Sequence, residues 1–81
     1  MSVEPEVAFG LVLRKLRKNL GVSQEALALD AGIERNYVSL LERGHNSASV
    51  KIIFKLAPAL GVSASDLIEL VEQEMHGARK K

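Results

Sequence analysis

An all-α fold of five short helices is what this chain predicts, and three observations carry the prediction. The hydrophobic share of 47% comes from Leu, Val, Ile and Ala with only 4% aromatic residues, which suits compact helices better than a sheet or a disordered segment. Apolar residues recur at helical spacing in five successive stretches. Serine or proline stands where most of these stretches begin and glycine where most of them end, as helix caps require.

The first helix starts near Pro5, a residue favoured in the first turn, and ends near Gly21. Phe9, Val12, Leu13, Leu16 and Leu20 fall within about a third of its circumference and make a core stripe. Val7 and Leu11 form a second apolar pair on its basic side, which either joins an association surface or covers the last helix. Ser23 is placed to cap the second helix, where its hydroxyl accepts a bond from an otherwise unpaired amide. The third helix runs from about Arg35 to Arg43, and Gly44 ends it. Ser49 caps the fourth, whose Val50, Ile52, Ile53, Phe54, Leu56, Ala57 and Leu60 cover so much of its surface that a deep position in the domain is expected. Pro58 removes one amide and crowds the preceding turn, so a bend or a tightened end is expected before Gly61 closes the helix.

The fifth helix opens on Ser63-x-x-Asp66, a capping-box variant with aspartate in place of glutamate. Its Leu67, Ile68, Leu70, Val71 and Met75 sweep an arc of about 160°, wider than the roughly 100° stripe that a peripheral helix needs. One edge therefore packs on the domain and the other is left for a second copy, two-fold symmetry being the commonest closed arrangement. Leu67, Ile68, Val71 and Met75 are the expected dimer contacts. Residues 1–76 read as one domain and 77–81 as a frayed basic tail.

Composition narrows the function classes. Eighty-one residues leave little room for an enzyme cavity. The absence of cysteine excludes a disulfide framework and a zinc finger, and fits a reducing cytoplasm. Glu4 and Glu6 near the start, with no long apolar run, argue against a secretion signal or a membrane span. Net charge is only +1, but its distribution is uneven. Between Arg14 and Lys55 eight basic residues face four acidic ones, a local +4, whereas Asp66 to Glu74 carries −4. Such polarity steers one end of the molecule toward phosphate.

The stretch SQEALALDAGIERNYVSLLERG, residues 23–44, is the most specific feature. Ala28 is small enough for two helices to cross closely, Gly32 suits a turn with positive φ, and Ile33, Val38 and Leu41 clamp the later helix to a core. This pattern resembles the helix-turn-helix of the Cro and phage-repressor family. LRKLRKNLGVSQ (13–24) is similar to that family's first helix and turn, and ASVKIIFKLAPALGVS (48–63) to its fourth helix and the turn beyond. The Tyr37–Gly44 ending looks most like the small controller proteins that time restriction-modification systems. The resemblance implies a compact lambda-repressor-like domain, with helices two and three as the DNA-binding unit and no cofactor or metal. Leu40 departs from the pattern, standing where relatives often carry a polar base-reading residue.

Outward positions on helix three are the candidates for reading sequence. Arg35 presents two donors to guanine, Asn36 pairs bidentately with adenine, Ser39 is adaptable, and Leu40 either packs on a thymine methyl or is an ordinary surface leucine. Gln24 with the amides at the start of helix two, together with Arg43, Asn46 and Ser47, is expected to hold phosphate. Tyr37 is divided between packing and a phosphate contact. Family likeness implies that Arg17 pairs with Glu42 beneath the recognition helix.

The partner implied is a double-stranded, pseudo-palindromic operator bound by a homodimer in the cytoplasm, with RNA polymerase as a further partner if transcription is activated. Exposed Glu25, Asp30 and Glu34 are the candidates for that contact. Neither His45 nor His76 has serine or carboxylate spacing for a relay or metal cluster, so no catalytic or metal residue is assigned. The competing reading is an antitoxin-like interaction module. Such chains carry a segment that folds on the partner, and about five residues beyond helix five are too few for that.

Overall fold

The computed structural model describes residues 3–77. Among these the chain forms five α-helices and no strand: α1 (Pro5–Leu20), α2 (Gln24–Ala31), α3 (Arg35–Glu42), α4 (Val50–Leu60) and α5 (Ala64–Met75). α1 packs along α5 on one side and across α3 on the other, while α2 lies between α3 and α4. The core at their junction holds Leu13, Leu27, Val38, Leu41, Leu56 and Leu67, all fully buried. An all-α domain results, as composition and periodicity predict.

Local chemistry sets the helix limits. Ser23, Ser49 and Ser63 each accept a bond through the hydroxyl oxygen, from the amides of Ala26, Ile52 and Asp66 at 3.0, 3.2 and 3.0 Å. Each serine satisfies one of the amides that a helix start leaves without a partner. α4 runs through Pro58 without interruption, and its last turn is tightened by a bond from the Gly61 amide to the Pro58 carbonyl at 3.0 Å. α3 ends one residue earlier than expected, with Arg43 at its cap and Gly44 in the left-handed conformation.

Two packing expectations are corrected. Leu20 lies on the α1 stripe but is 49% exposed, because that stripe outruns the helices that cover it. α4 is not deep: Leu56, Ala57 and Leu60 are buried, but Val50 and Phe54 are 70% and 64% exposed. So small a domain has too few neighbours to surround a helix that is apolar on every side. Val7 sits beside Gly44 at the exit of α3. Of the tail, residues 78–81 fall outside the described region.

Candidate nucleic-acid interface

Helices α2 and α3 meet through the small residues that the sequence singles out. Ala28 is buried on the inner face of α2, and Gly32 takes a left-handed conformation with φ of 74°. The Ile33 amide then donates to the Ala28 carbonyl at 3.0 Å, which turns the chain sharply into α3. Val38 and Leu41 are fully buried and Ile33 and Tyr37 are packed against the core. One side of α3 is thereby fixed, and its opposite side is free.

That free side carries the expected residues. Arg35 and Asn36 are exposed in the first turn, Ser39 and Leu40 are half-buried in the second, and Arg43 is exposed at the end. Arg43 Nε points back to the Ser39 carbonyl at 3.4 Å. Beyond it Asn46 and Ser47 are exposed in the loop toward α4. The Tyr37 hydroxyl lies 3.5 Å from the Ser47 carbonyl, near the outer limit for a hydrogen bond. Arg35, Asn36, Ser39 and Arg43 follow one another around less than a third of a turn, so a single approaching surface meets all four.

A partly buried polar network locks this helix from below. Arg17 on α1 donates through Nε to Glu42 Oε2 and through Nη2 to Glu42 Oε1 at 3.0 Å, a forked pairing of guanidinium and carboxylate. Its Nη1 donates to the Val22 carbonyl at 2.9 Å, tying the α1–α2 turn into the same group. Gln24 adds an amide donor to Glu42 Oε1 at 2.9 Å. Both charged side chains are shielded, with 11% of Arg17 and 4% of Glu42 exposed. Burial pushes the Glu42 carboxyl up, but hydrogen bonds from Arg17 and Gln24 and the nearby charges of Arg17 and Arg14 outweigh it and hold the pKa below the ordinary value. The Arg17 pKa is raised, first by its hydrogen bond to Glu42.

The sequence does not announce the Gln24 link. Sequence reading assigns Gln24 to phosphate alone, yet its half-buried amide is also the bridge from α2 to Glu42. Its place at the first position of α2 gave no sign of this, because Glu42 is distant in sequence.

The expected association surface needs a larger correction. Leu67 is fully buried and Val71 is 7% exposed, both in the intramolecular core under α1, and Met75 is packed against that core. Only Ile68 of the four is exposed. It lines an open groove with Val50, Ile53, Phe54 and Ala64, rimmed by Glu69 and Glu72. The apolar face left over belongs to α4 and α5 jointly. Val50 and Phe54, four residues apart on one side of α4, are the signal the sequence held.

Two short helices joined by a tight turn, the second carrying a polar face backed by core, define a helix-turn-helix DNA-binding domain. Residues 13–67 match the helix-turn-helix family model, and the chain belongs to that family of Cro/C1-type DNA-binding transcription regulators. It is 39% identical over 70 residues to the control protein C.BamHI of Bacillus amyloliquefaciens, covering 85% of this chain and 86% of that one. The fold is similar to the restriction-modification controller protein C.AhdI of Aeromonas hydrophila, with a TM-score of 0.74 and 45% identity over 76% of this chain and 94% of that one. It is also similar to the controller protein C.Esp1396I, solved as a tetramer in complex with its natural 35 base-pair operator. Here the TM-score is 0.82 with 26% identity, covering 91% of this chain and 97% of that one. Among the described residues no helix is long and apolar enough to cross a membrane, and no cluster of three or more metal-ligating side chains occurs.

Proposed function

We propose that this protein is a restriction-modification controller that binds a pseudo-palindromic operator as a homodimer. The observation that carries the reading is the outward polar face of α3, held rigid from behind by Val38, Leu41 and the Arg17–Glu42–Gln24 network. A helix fixed in this way enters the major groove, and two of them about 34 Å apart meet successive grooves on one side of the duplex. Arg35, Asn36 and Ser39 read base edges, and Leu40 packs on a thymine methyl. Arg43, Asn46, Ser47 and Tyr37 hold the backbone, joined by Gln24 through the amide hydrogen that Glu42 leaves free. Control proteins among the relatives support the narrower assignment, and these relatives lend nothing to an antitoxin role.

The second copy docks on the α4–α5 groove. Val50, Phe54 and Ile68 are exposed there, and a patch of this kind marks an association surface. The C.Esp1396I tetramer in complex with its operator supports such a partner. A polymerase contact, if this chain activates transcription, falls to Glu25, Asp30 and Glu34, all exposed beside the DNA-facing helices. Selection of bound duplexes from a random pool tests the reading directly. Two inverted half-sites one helical turn apart are the expected product, and a pool that never converges would refute sequence-specific binding.

A further inference from the structure

One face of α1 supports α3 from behind, and Gly10 stands directly against the α3 backbone. A Cβ built on Gly10 would lie 2.8 Å from the Glu42 carbonyl oxygen and 3.0 Å from its carbonyl carbon, and closer still to the Leu41 carbonyl oxygen. These are backbone atoms with no rotamer to swing aside. Gly10 is buried inside α1, a place where glycine weakens a helix relative to alanine. Arg17, two turns further along the same face, grips the Glu42 side chain. One turn earlier, Val7 Cγ2 lies 3.2 Å from where a Cβ on Gly44 would be. A single row on α1 thus touches the end of α3 at its backbone, its last side chain and its exit.

We propose that Gly10 is a positioning residue for DNA recognition, its missing side chain letting α1 seat α3 at the depth from which Arg35, Asn36 and Ser39 reach the bases. The proposal rests on the operator-binding reading above. Ordinary Cβ contacts begin near 3.4 Å, so one added methyl displaces the Leu41–Glu42 backbone by about half an ångström or more. Functional groups need holding to about that tolerance. Displacing that C-terminal end while Arg17 still grips the Glu42 side chain tilts α3.

The test compares Gly10→Ala with Val71→Ala, which hollows the core beside α5 and away from α3. Three quantities are read on each full chain: the melting temperature, the residual dipolar couplings of α3 amides relative to α1, and the affinity ratio between the selected operator and a random duplex. Gly10→Ala is expected to lower the melting temperature, where helix propensity alone would raise it. It is also expected to reorient α3 and to cut the affinity ratio about tenfold, as for one lost base contact. Val71→Ala lowers the melting temperature and leaves couplings and ratio unchanged. If Gly10→Ala folds too little, the couplings and ratio are read with trimethylamine N-oxide added. Unchanged couplings in Gly10→Ala, or an equal fall of the ratio in Val71→Ala, overturns the proposal. A wild-type protein that does not discriminate between duplexes refutes operator binding instead, and the couplings still decide whether Gly10 sets the pose of α3.

Discussion

The outer face of α3 and the groove between α4 and α5 are built in opposite ways on equally firm foundations. Behind α3 stand Val38 and Leu41, and behind the groove stand Leu56, Leu60 and Leu67, all almost wholly buried. In front, α3 offers Arg35, Asn36 and Arg43, whereas the groove offers Val50, Phe54 and Ile68. A polar face loses little by standing free in water and gains when a partner presents matching donors and acceptors. An apolar face gains simply by being covered. On the proposed function, selectivity belongs to the first surface and assembly to the second.

Removing the lock behind α3 should have the largest effect on this contrast. Glu42→Ala strands Arg17 with little water around it and should cost about 3 kcal/mol of stability, read by urea denaturation. An acid titration sharpens the point. The folded Glu42 pKa lies below the ordinary 4.5, so its contribution is complete above that pH and is lost as pH falls through the depressed folded value. Arg17 stays charged throughout. In Glu42→Gln the fall of stability below about pH 4.5 should be shallower, and an unchanged acid limb would remove Glu42 from the account.

Next in size is assembly. Phe54→Asp should weaken the dimer by at least about 2 kcal/mol, seen by sedimentation as monomers, while the helix content of each copy is kept. Dimers that survive this change would move the interface off the groove. Asn36→Ala should then cost about 1–3 kcal/mol on the operator and relax preference at one base pair, with random duplex bound as before. Smallest is Arg43→Ala, which should weaken all duplexes together and reduce the slope of log affinity against log salt by about 0.9. If Asn36→Ala behaved like Arg43→Ala, the division between base and phosphate contacts would be wrong.

Legibility in the sequence followed distance along the chain. Helix ends were plain because Ser23, Ser49 and Ser63 act on amides three residues away. The Ala28–Gly32–Ile33 turn was plain for the same reason. Arg17 and Glu42 lie 25 residues apart, and only family resemblance joined them before the structure did. The sequence marks Gln24 as a phosphate ligand alone, since nothing near it announces Glu42. Periodicity points Leu67 and Val71 to the dimer because it gives a residue its face but not its neighbour. Gly10 carries no signal of its own, as a lone glycine within a helix declares no contact.

By itself, then, the sequence determined five helices, their caps, the tight turn and the polar side of α3, because all of these depend on spacing within one helix or across one turn. Tertiary structure decided which apolar face is left over, what holds Glu42, and how closely α1 crosses α3. These depend on which helix lies against which, and periodicity along a chain carries no information about the distance between two helix axes.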